Sequence, residues 1–223
     1  MIVSIIIPCL NEKKYIRTVV EKCMSLNNDS CDIELVIVDN GSTDGTYEIL
    51  LDIKKQNLAK NIIVVRETQK GKANAIKKGL SLSHGDIVVF QDADLEYDIA
   101  NISKLIESIK KGADGAVSVR YININEVNIF SFIANKFFLT LFKNNIPDIL
   151  SGQRAYKKSL LNTFDLKSKG FDLEIELTLK TLDYCIDYIP IIYKPRSYAD
   201  GKKIGLLDFF IILKRFSHFA LLP

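Results

Sequence analysis

The chain has 223 residues, 48% of them hydrophobic and 26% charged, which suits one sizeable α/β domain and excludes a disordered chain. A net charge of +3 is too small to imply nucleic acid as a partner. The positive surplus is gathered late: between residues 194 and 215, Lys194, Arg196, Lys202, Lys203, Lys214 and Arg215 stand against only Asp200 and Asp208.

Residues 3–7, apolar apart from Ser4, predict a first strand. Tyr15, Ile16, Val19, Val20, Cys23 and Leu26 then recur at helical spacing behind Asn11, a suitable helix cap. Residues 33–38 predict a second strand, and 47–53 a second helix after the turn at 40–45, where Thr43 is a further cap. A third strand at 62–65 leads to a helix from about Lys72 to Ser83, and a fourth at 87–90 to a helix at 99–109 and a strand at 115–119. Such alternation with short connections implies a mostly parallel sheet covered on both faces. The second half is less regular, with a helix expected at 173–182 and a short strand at 189–193. Two aromatic and apolar stretches, 127–142 and 206–222, carry few charges, and neither is an unbroken run long enough to span a bilayer. No linker composition separates the halves, so residues 1–205 are expected as one domain and 206–223 as an apolar and basic extension.

Cys9, Cys23, Cys31 and Cys185 lack metal-ligand spacing and no signal peptide precedes the first strand, which suggests reduced thiols in a cytosolic protein. With only His84 and His218, neither beside another catalytic-looking residue, histidine-based catalysis is not indicated.

In an open α/β sheet, ligands bind beyond the carboxyl ends of the strands. Here all four early strand ends are polar: Pro8 to Glu12, Asp39 to Ser42, Gln69 to Lys72, and the acids Asp92, Asp94 and Glu96. Asp92 and Asp94, one small residue apart, suit a hard divalent cation that keeps waters and takes phosphate oxygens as further ligands. A solvated acidic loop is the alternative for that pair taken alone. No G-x-G-x-x-G follows the first strand and no G-x-x-x-x-G-K-[ST] loop is present, which argues against dinucleotide and P-loop chemistry. An EF-hand fails too, since Tyr97 and Ser103 replace its turn glycine and closing glutamate.

The order Ile-Ile-Ile-Pro-x-x-Asn-Glu (5–12), Val-Asp-Asn-Gly-Ser-x-Asp-Gly-Thr (38–46), Lys-Gly-Lys-Ala (70–73) and Asp-Ala-Asp-Leu (92–95) resembles the inverting family-2 glycosyltransferases of GT-A fold. Within them the chain is most similar to the dolichyl- or polyprenyl-phosphate sugar synthases, with further matches at 119–121, 151–156, 170–174 and 193–196. The resemblance implies that Pro8, Asn11, Glu12 and Asp39 hold the nucleoside, with Asp39 accepting from the base, and that Gly71 and Lys72 border the nucleotide. It implies Asp92 and Asp94 as ligands of Mg²⁺ or Mn²⁺ on the donor diphosphate, with Asp94 counted as catalytic and Glu96, where the family often has Gln, as a further ligand. Asn40 stands where a second Asp is common and is given no role beyond its loop.

A lipid phosphate acceptor is already anionic and needs cations and an apolar groove, whereas a sugar hydroxyl needs a carboxylate base. For the first, Arg120 and Arg196 are expected as catalytic cations, and Ser151, Gln153, Arg154, Lys202 and Lys203 as acceptor contacts beside them. Residues 127–142 and 206–222 are expected to lie in a membrane interface, with ordinary core or a dimer contact as the alternative. Asp148 and Glu174 remain candidate bases for a hydroxyl. The resulting expectation is metal-dependent, inverting transfer of a sugar from a GDP- or UDP-sugar to dolichyl or polyprenyl phosphate, by a peripheral protein of the cytosolic membrane face. Transfer to a glycan hydroxyl is the nearest alternative, and a non-catalytic nucleotide-sugar-binding subunit a more distant one.

Overall fold

The unbroken apolar runs have a simple cause: the central strands are buried on both faces. In a computed structural model, residues 1–27, 31–56, 61–120 and 146–196 are described. Lys202, Lys203, the 127–142 stretch and the 206–223 extension lie outside the described residues.

The strands are β1 (Ile2–Cys9), β2 (Asp32–Asp39), β3 (Ile62–Arg66), β4 (Ile87–Phe90), β5 (Gly115–Arg120), β6 (Arg154–Lys157) and β7 (Ile186–Ile191). They form one sheet in the order β3-β2-β1-β4-β6-β5-β7. All pairings are parallel except the two made by β6, which runs antiparallel between β4 and β5. The helices are α1 (Ile16–Met24), α2 (Thr46–Lys55), α3 (Lys72–Leu82), α4 (Asn101–Lys110), α5 (Lys158–Leu161) and α6 (Leu173–Lys180).

Period-two alternation in β1 sends Val3, Ile5 and Ile7 to one face, where they pack with Val19, Cys23, Leu50, Ile53, Leu105 and Ile109 of α1, α2 and α4. Ile6 goes to the other face, against Ala73 and Ile76 of α3 and within one cluster with Leu160, Leu173 and Leu177. Helix α3 lies so close to β1 that a methyl group on Gly79 would come within 2.4 Å of Ile6 Cγ2. Both faces are therefore covered, as the strand–helix alternation implies.

Several elements differ from the sequence expectation. Helix α1 starts at Ile16, with no side-chain cap, because Asn11 is drawn into the neighbouring loop. Helix α2 starts at Thr46, whose N–H donates to Asp44 Oδ1 at 3.0 Å, so Asp44 serves that end in place of Thr43. The last strand begins three residues before the expected 189 and ends at Ile191; Pro190 is tolerated because β7 is an edge strand, and Tyr193 makes an isolated bridge to Tyr97. Strand β6 was not foreseen, since four residues with a charge at each end carry no periodic pattern. All four cysteines are free thiols, three of them buried.

The polar break in β1 is explained at the amino ends of the strands, away from the polar loops. Ser4 Oγ donates to Glu34 Oε2 on the paired strand, His84 N–H donates to the same oxygen at 2.9 Å, and the His84 ring lies 2.7 Å from Oε1. Burial by itself would raise the Glu34 pKa, but these hydrogen bonds outweigh it and hold the carboxyl below the ordinary glutamate range. A carboxyl whose folded pKa is lowered adds stability above its unfolded value, about 4.3, and loses it as pH falls through the folded value. Glu34→Gln is expected to cost about 1–2 kcal/mol at pH 7 in urea unfolding. The gap from wild type should narrow as the pH falls below the unfolded value and close only below the folded one.

Candidate active site

The loops after β1 and β2 are knitted by side-chain-to-backbone bonds. Asn11 N–H donates to Ser42 Oγ at 2.9 Å, Thr43 N–H donates to Asn11 Oδ1 at 2.8 Å, and Glu12 N–H donates to Thr46 Oγ1 at 2.9 Å. This holds Asn11 at φ +52°, a left-handed conformation that Asn tolerates better than most residues. Pro8 lies half-buried opposite Val38. Asn40 ties the third loop to the second, accepting from Gly71 N–H at 2.7 Å and donating to the carbonyls of Glu67 and Gln69. A cavity of about 470 Å³ opens between Glu12, Lys13, Tyr15, Asp44 and Arg196.

Asp39, at the end of β2, is fully buried and accepts from Arg66 Nε at 2.9 Å. Arg66 stands opposite Asp39 in the β2–β3 register, and its guanidinium lies 4.0 Å from the Tyr47 ring centre. Neither Arg66 nor Tyr47 was among the expected site residues. The available signal was the charge that ends the apolar run 62–65, one residue beyond the expected strand.

The acid loop after β4 is divided between two cations. Lys72 Nζ lies 2.7 Å from Asp92 Oδ1 and 2.9 Å from Glu174 Oε1. These two carboxylates outweigh its burial and raise its pKa above the ordinary lysine value. Gly152 is packed so tightly here that a Cβ would meet Asp92 Oδ2 at 2.5 Å. Arg196 donates to Asp94 Oδ2 at 3.0 Å and to both oxygens of Glu12, at 3.0 and 3.3 Å. Glu96, expected as a third metal ligand, accepts from the Tyr193 hydroxyl and from Arg196 N–H, at 2.7 Å for the latter. Leu95 at φ +61° separates it from Asp94, a conformation that costs on the order of 1 kcal/mol.

A deeper set of expected residues does not face the crevice. Arg154 is 1% exposed and donates to the carbonyls of Ile149 and Ser151 and to the hydroxyls of Tyr156 and Thr178. Gln153 is buried between Ser118, Gln91 and the Asp98 carbonyl, and Ser151 is fully buried beside them in sequence. These three, expected as acceptor contacts, are buried, Arg154 because it opens β6 in the middle of the sheet. Arg120 ends β5 and makes a two-pronged pair with Asp148, Nε to Oδ2 at 2.7 Å and Nη2 to Oδ1 at 2.8 Å, while lying 5.4 Å from the Tyr193 ring centre. Asp148 is thereby committed to Arg120, which leaves Glu174 as the candidate base that borders the acid loop.

Around the acid loop, Glu12, Asp92, Asp94, Glu96 and Glu174 meet the cationic side chains of Lys72 and Arg196. Burial, then the charges of Asp92 and Glu96, push the Asp94 carboxyl well above the ordinary carboxylate range. This surplus of hard oxygen donors fits a divalent cation. Among the described residues no three His, Cys, Asp or Glu side chains form a ready metal cage. Mg²⁺ needs none, since one or two carboxylates with waters and phosphate oxygens complete its shell. Among the described residues no helix is long and apolar enough to cross a membrane.

The chain belongs to glycosyl transferase family 2, whose sequence profile matches residues 4–164, and its motifs are those of a glycosyltransferase. It is 28% identical to the dolichol-phosphate mannosyltransferase of Pyrococcus furiosus over 216 residues, covering 92% of this chain and 60% of that protein. The chain thus spans less than two thirds of that relative's length. The polyprenol monophosphomannose synthase of Mycolicibacterium smegmatis is 26% identical, over 90% of this chain and 80% of that one. The crystal structure of glucosyl-3-phosphoglycerate synthase from Mycobacterium tuberculosis, in complex with Mn²⁺, UDP-glucose and phosphoglyceric acid, has a TM-score of 0.79 at 20% identity, covering 99% of this chain and 80% of that one. The fold is the expected GT-A fold.

Two ion pairs allow a direct comparison. Asp148→Asn leaves the Arg120 guanidinium buried without its counter-charge and is expected to cost about 3 kcal/mol in urea unfolding. Asp52→Asn, which breaks the exposed Arg17–Asp52 pair, should change stability by less than about 1 kcal/mol.

Proposed function

We propose that this chain transfers a sugar, with inversion, from a GDP- or UDP-sugar to a polyprenyl or dolichyl phosphate. The setting proposed is peripheral contact with the cytosolic face of a membrane. The observation that carries the donor half is the surplus of carboxylates at the carboxyl end of β4, which suits a cation with a diphosphate and suits no bare anion. Asp92 and Asp94 would hold Mg²⁺ or Mn²⁺, which as a Lewis acid offsets charge on the departing nucleoside diphosphate. Asn11, Glu12, Asp39 and Pro8 would border the nucleoside end of the crevice and Gly71 and Lys72 the diphosphate; Arg66 and Tyr47 are proposed beside Asp39 because Arg66 bonds it and stacks on Tyr47. The acceptor half is supported by the names of the two curated relatives, both phosphomannose-forming enzymes of polyprenols or dolichol.

In this reaction a phosphate oxygen of the lipid attacks C1 of the sugar as the bond from C1 to the diphosphate oxygen breaks. The nucleophile is an anion, so no base is required. Arg196 stands beside Asp94 and is the described cation best placed to meet a phosphate; Lys202 and Lys203 are proposed beside it from sequence. Arg120, paired with Asp148 and 5.4 Å from the Tyr193 ring centre, is proposed to act indirectly, by supporting Tyr193. The apolar stretches 127–142 and 206–222 are proposed to rest in the lipid interface.

Transfer to a hydroxyl is a second reading because of one observation: Glu174 Oε2 is buried and makes no hydrogen bond among the described residues. A carboxylate oxygen of that kind is where a base would stand. Incubation with polyprenyl phosphate in detergent, a panel of labelled nucleotide sugars and Mg²⁺ or Mn²⁺ separates the two. An organic-extractable, mild-acid-labile product supports lipid phosphate as acceptor, and label confined to water-soluble glycan overturns it. Asp94→Asn is expected to lower turnover about a hundredfold or more, since losing about 3 kcal/mol of transition-state stabilisation has that effect. The variant's unfolding midpoint should stay close to wild type.

A further inference from the structure

Glu96 is bound to one short segment by three hydrogen bonds. Tyr193 donates its hydroxyl to Oε2, Arg196 donates its N–H to Oε1 at 2.7 Å, and Lys194 donates its N–H to the Glu96 carbonyl at 3.1 Å. The segment is further anchored by the Tyr193 ring, 5.0 Å from the Tyr97 ring centre. Pro195 stiffens it, because proline fixes its own φ and restricts the residue before it. The result is a strap that leaves the edge strand β7, crosses the end of β4 and reaches the end of β1 through the Arg196–Glu12 pair. Its tip places the Arg196 guanidinium 3.0 Å from Asp94 Oδ2.

A divalent cation on the same Asp94 carboxylate would sit about 2.1 Å from an oxygen. Two such cationic centres on one small carboxylate repel strongly in a half-buried site. We propose that Glu96 is a positioning residue rather than a metal ligand: it is the buckle of the 193–196 strap, holding Arg196 on Asp94 as the counter-charge that an incoming divalent cation displaces. This rests on the reading that Asp94 receives a divalent cation. Opening the buckle weakens the hold of the competitor on Asp94, and metal entry in turn loosens the strap and turns Arg196, still paired with Glu12, toward a phosphate oxygen.

Tyr193→Phe is the cleanest probe, because it removes one buckle bond and alters no charge. The chelator-treated full chain is titrated with Mn²⁺, with free Mn²⁺ read by its paramagnetic resonance signal and Asp94→Asn as the site control. Amide hydrogen exchange of residues 193–196 is followed by mass spectrometry with and without Mn²⁺. Tyr193→Phe is expected to bind Mn²⁺ about threefold to tenfold more tightly than wild type. Glu96→Ala should speed exchange of the segment in the metal-free protein, and Mn²⁺ should do the same in wild type. Slower or unchanged exchange on adding Mn²⁺, with Tyr193→Phe binding no more tightly, overturns the buckle while Asp94-dependent Mn²⁺ binding keeps the wider reading intact. Absence of Asp94-dependent Mn²⁺ binding in wild type and Tyr193→Phe alike overturns both.

Discussion

The structure turns on a crowding of negative charge at the carboxyl ends of its parallel strands. Glu12, Glu96 and Glu174 are buried and Asp92 and Asp94 half-buried in one crevice, and carboxylates there repel one another more strongly than in bulk solvent. Lys72 and Arg196 relieve part of that repulsion, each by bridging acids from different elements. The same pairs hold the loops in place, joining α3 to β4 and α6, and the carboxyl-terminal strap to the ends of β1 and β4. Electrostatic need and loop position are thus one problem with one solution.

A doubly covered sheet makes this arrangement possible. Its interior is satisfied by aliphatic packing on both faces, so the strand bodies need no polar partners and the polar residues are driven to the ends. At the amino ends Ser4, Glu34 and His84 close among themselves, with hydrogen bonds that answer one another. At the carboxyl ends the acids outnumber their partners. That asymmetry distinguishes a structural cluster from the proposed binding site in this chain, although both contain buried carboxylates.

Much of the fold was legible in the residues. The alternation of apolar strands and amphipathic helices through residue 120 is local, since period and spacing are properties of neighbours in sequence. The ends of β4, where Phe90 gives way to Asp92 and Asp94, were legible for the same reason. Strand β6 was not, because a four-residue strand with Arg154 and Lys157 at its ends owes its existence to partners on β4 and β5. Asn11 and Thr43 looked like helix caps by local rules; a contact between loops 32 residues apart gave Asn11 to Thr43, while a short-range bond from the Thr46 N–H gave the helix start to Asp44.

By itself, the sequence determined the layered α/β architecture, the set of polar strand ends and the acid pair that suits a cation. Those follow from hydrophobic periodicity and from the rule that ligands gather beyond strand termini. Only the tertiary structure decided which charges answer one another. Arg154 became an interior brace, Asp148 the partner of Arg120, and Glu96 the holder of a strap whose Arg196 reaches Glu12 across 184 residues of chain. Ion pairs depend on distance and burial, which sequence spacing does not encode, so the residue types were foreseeable and their pairings were not.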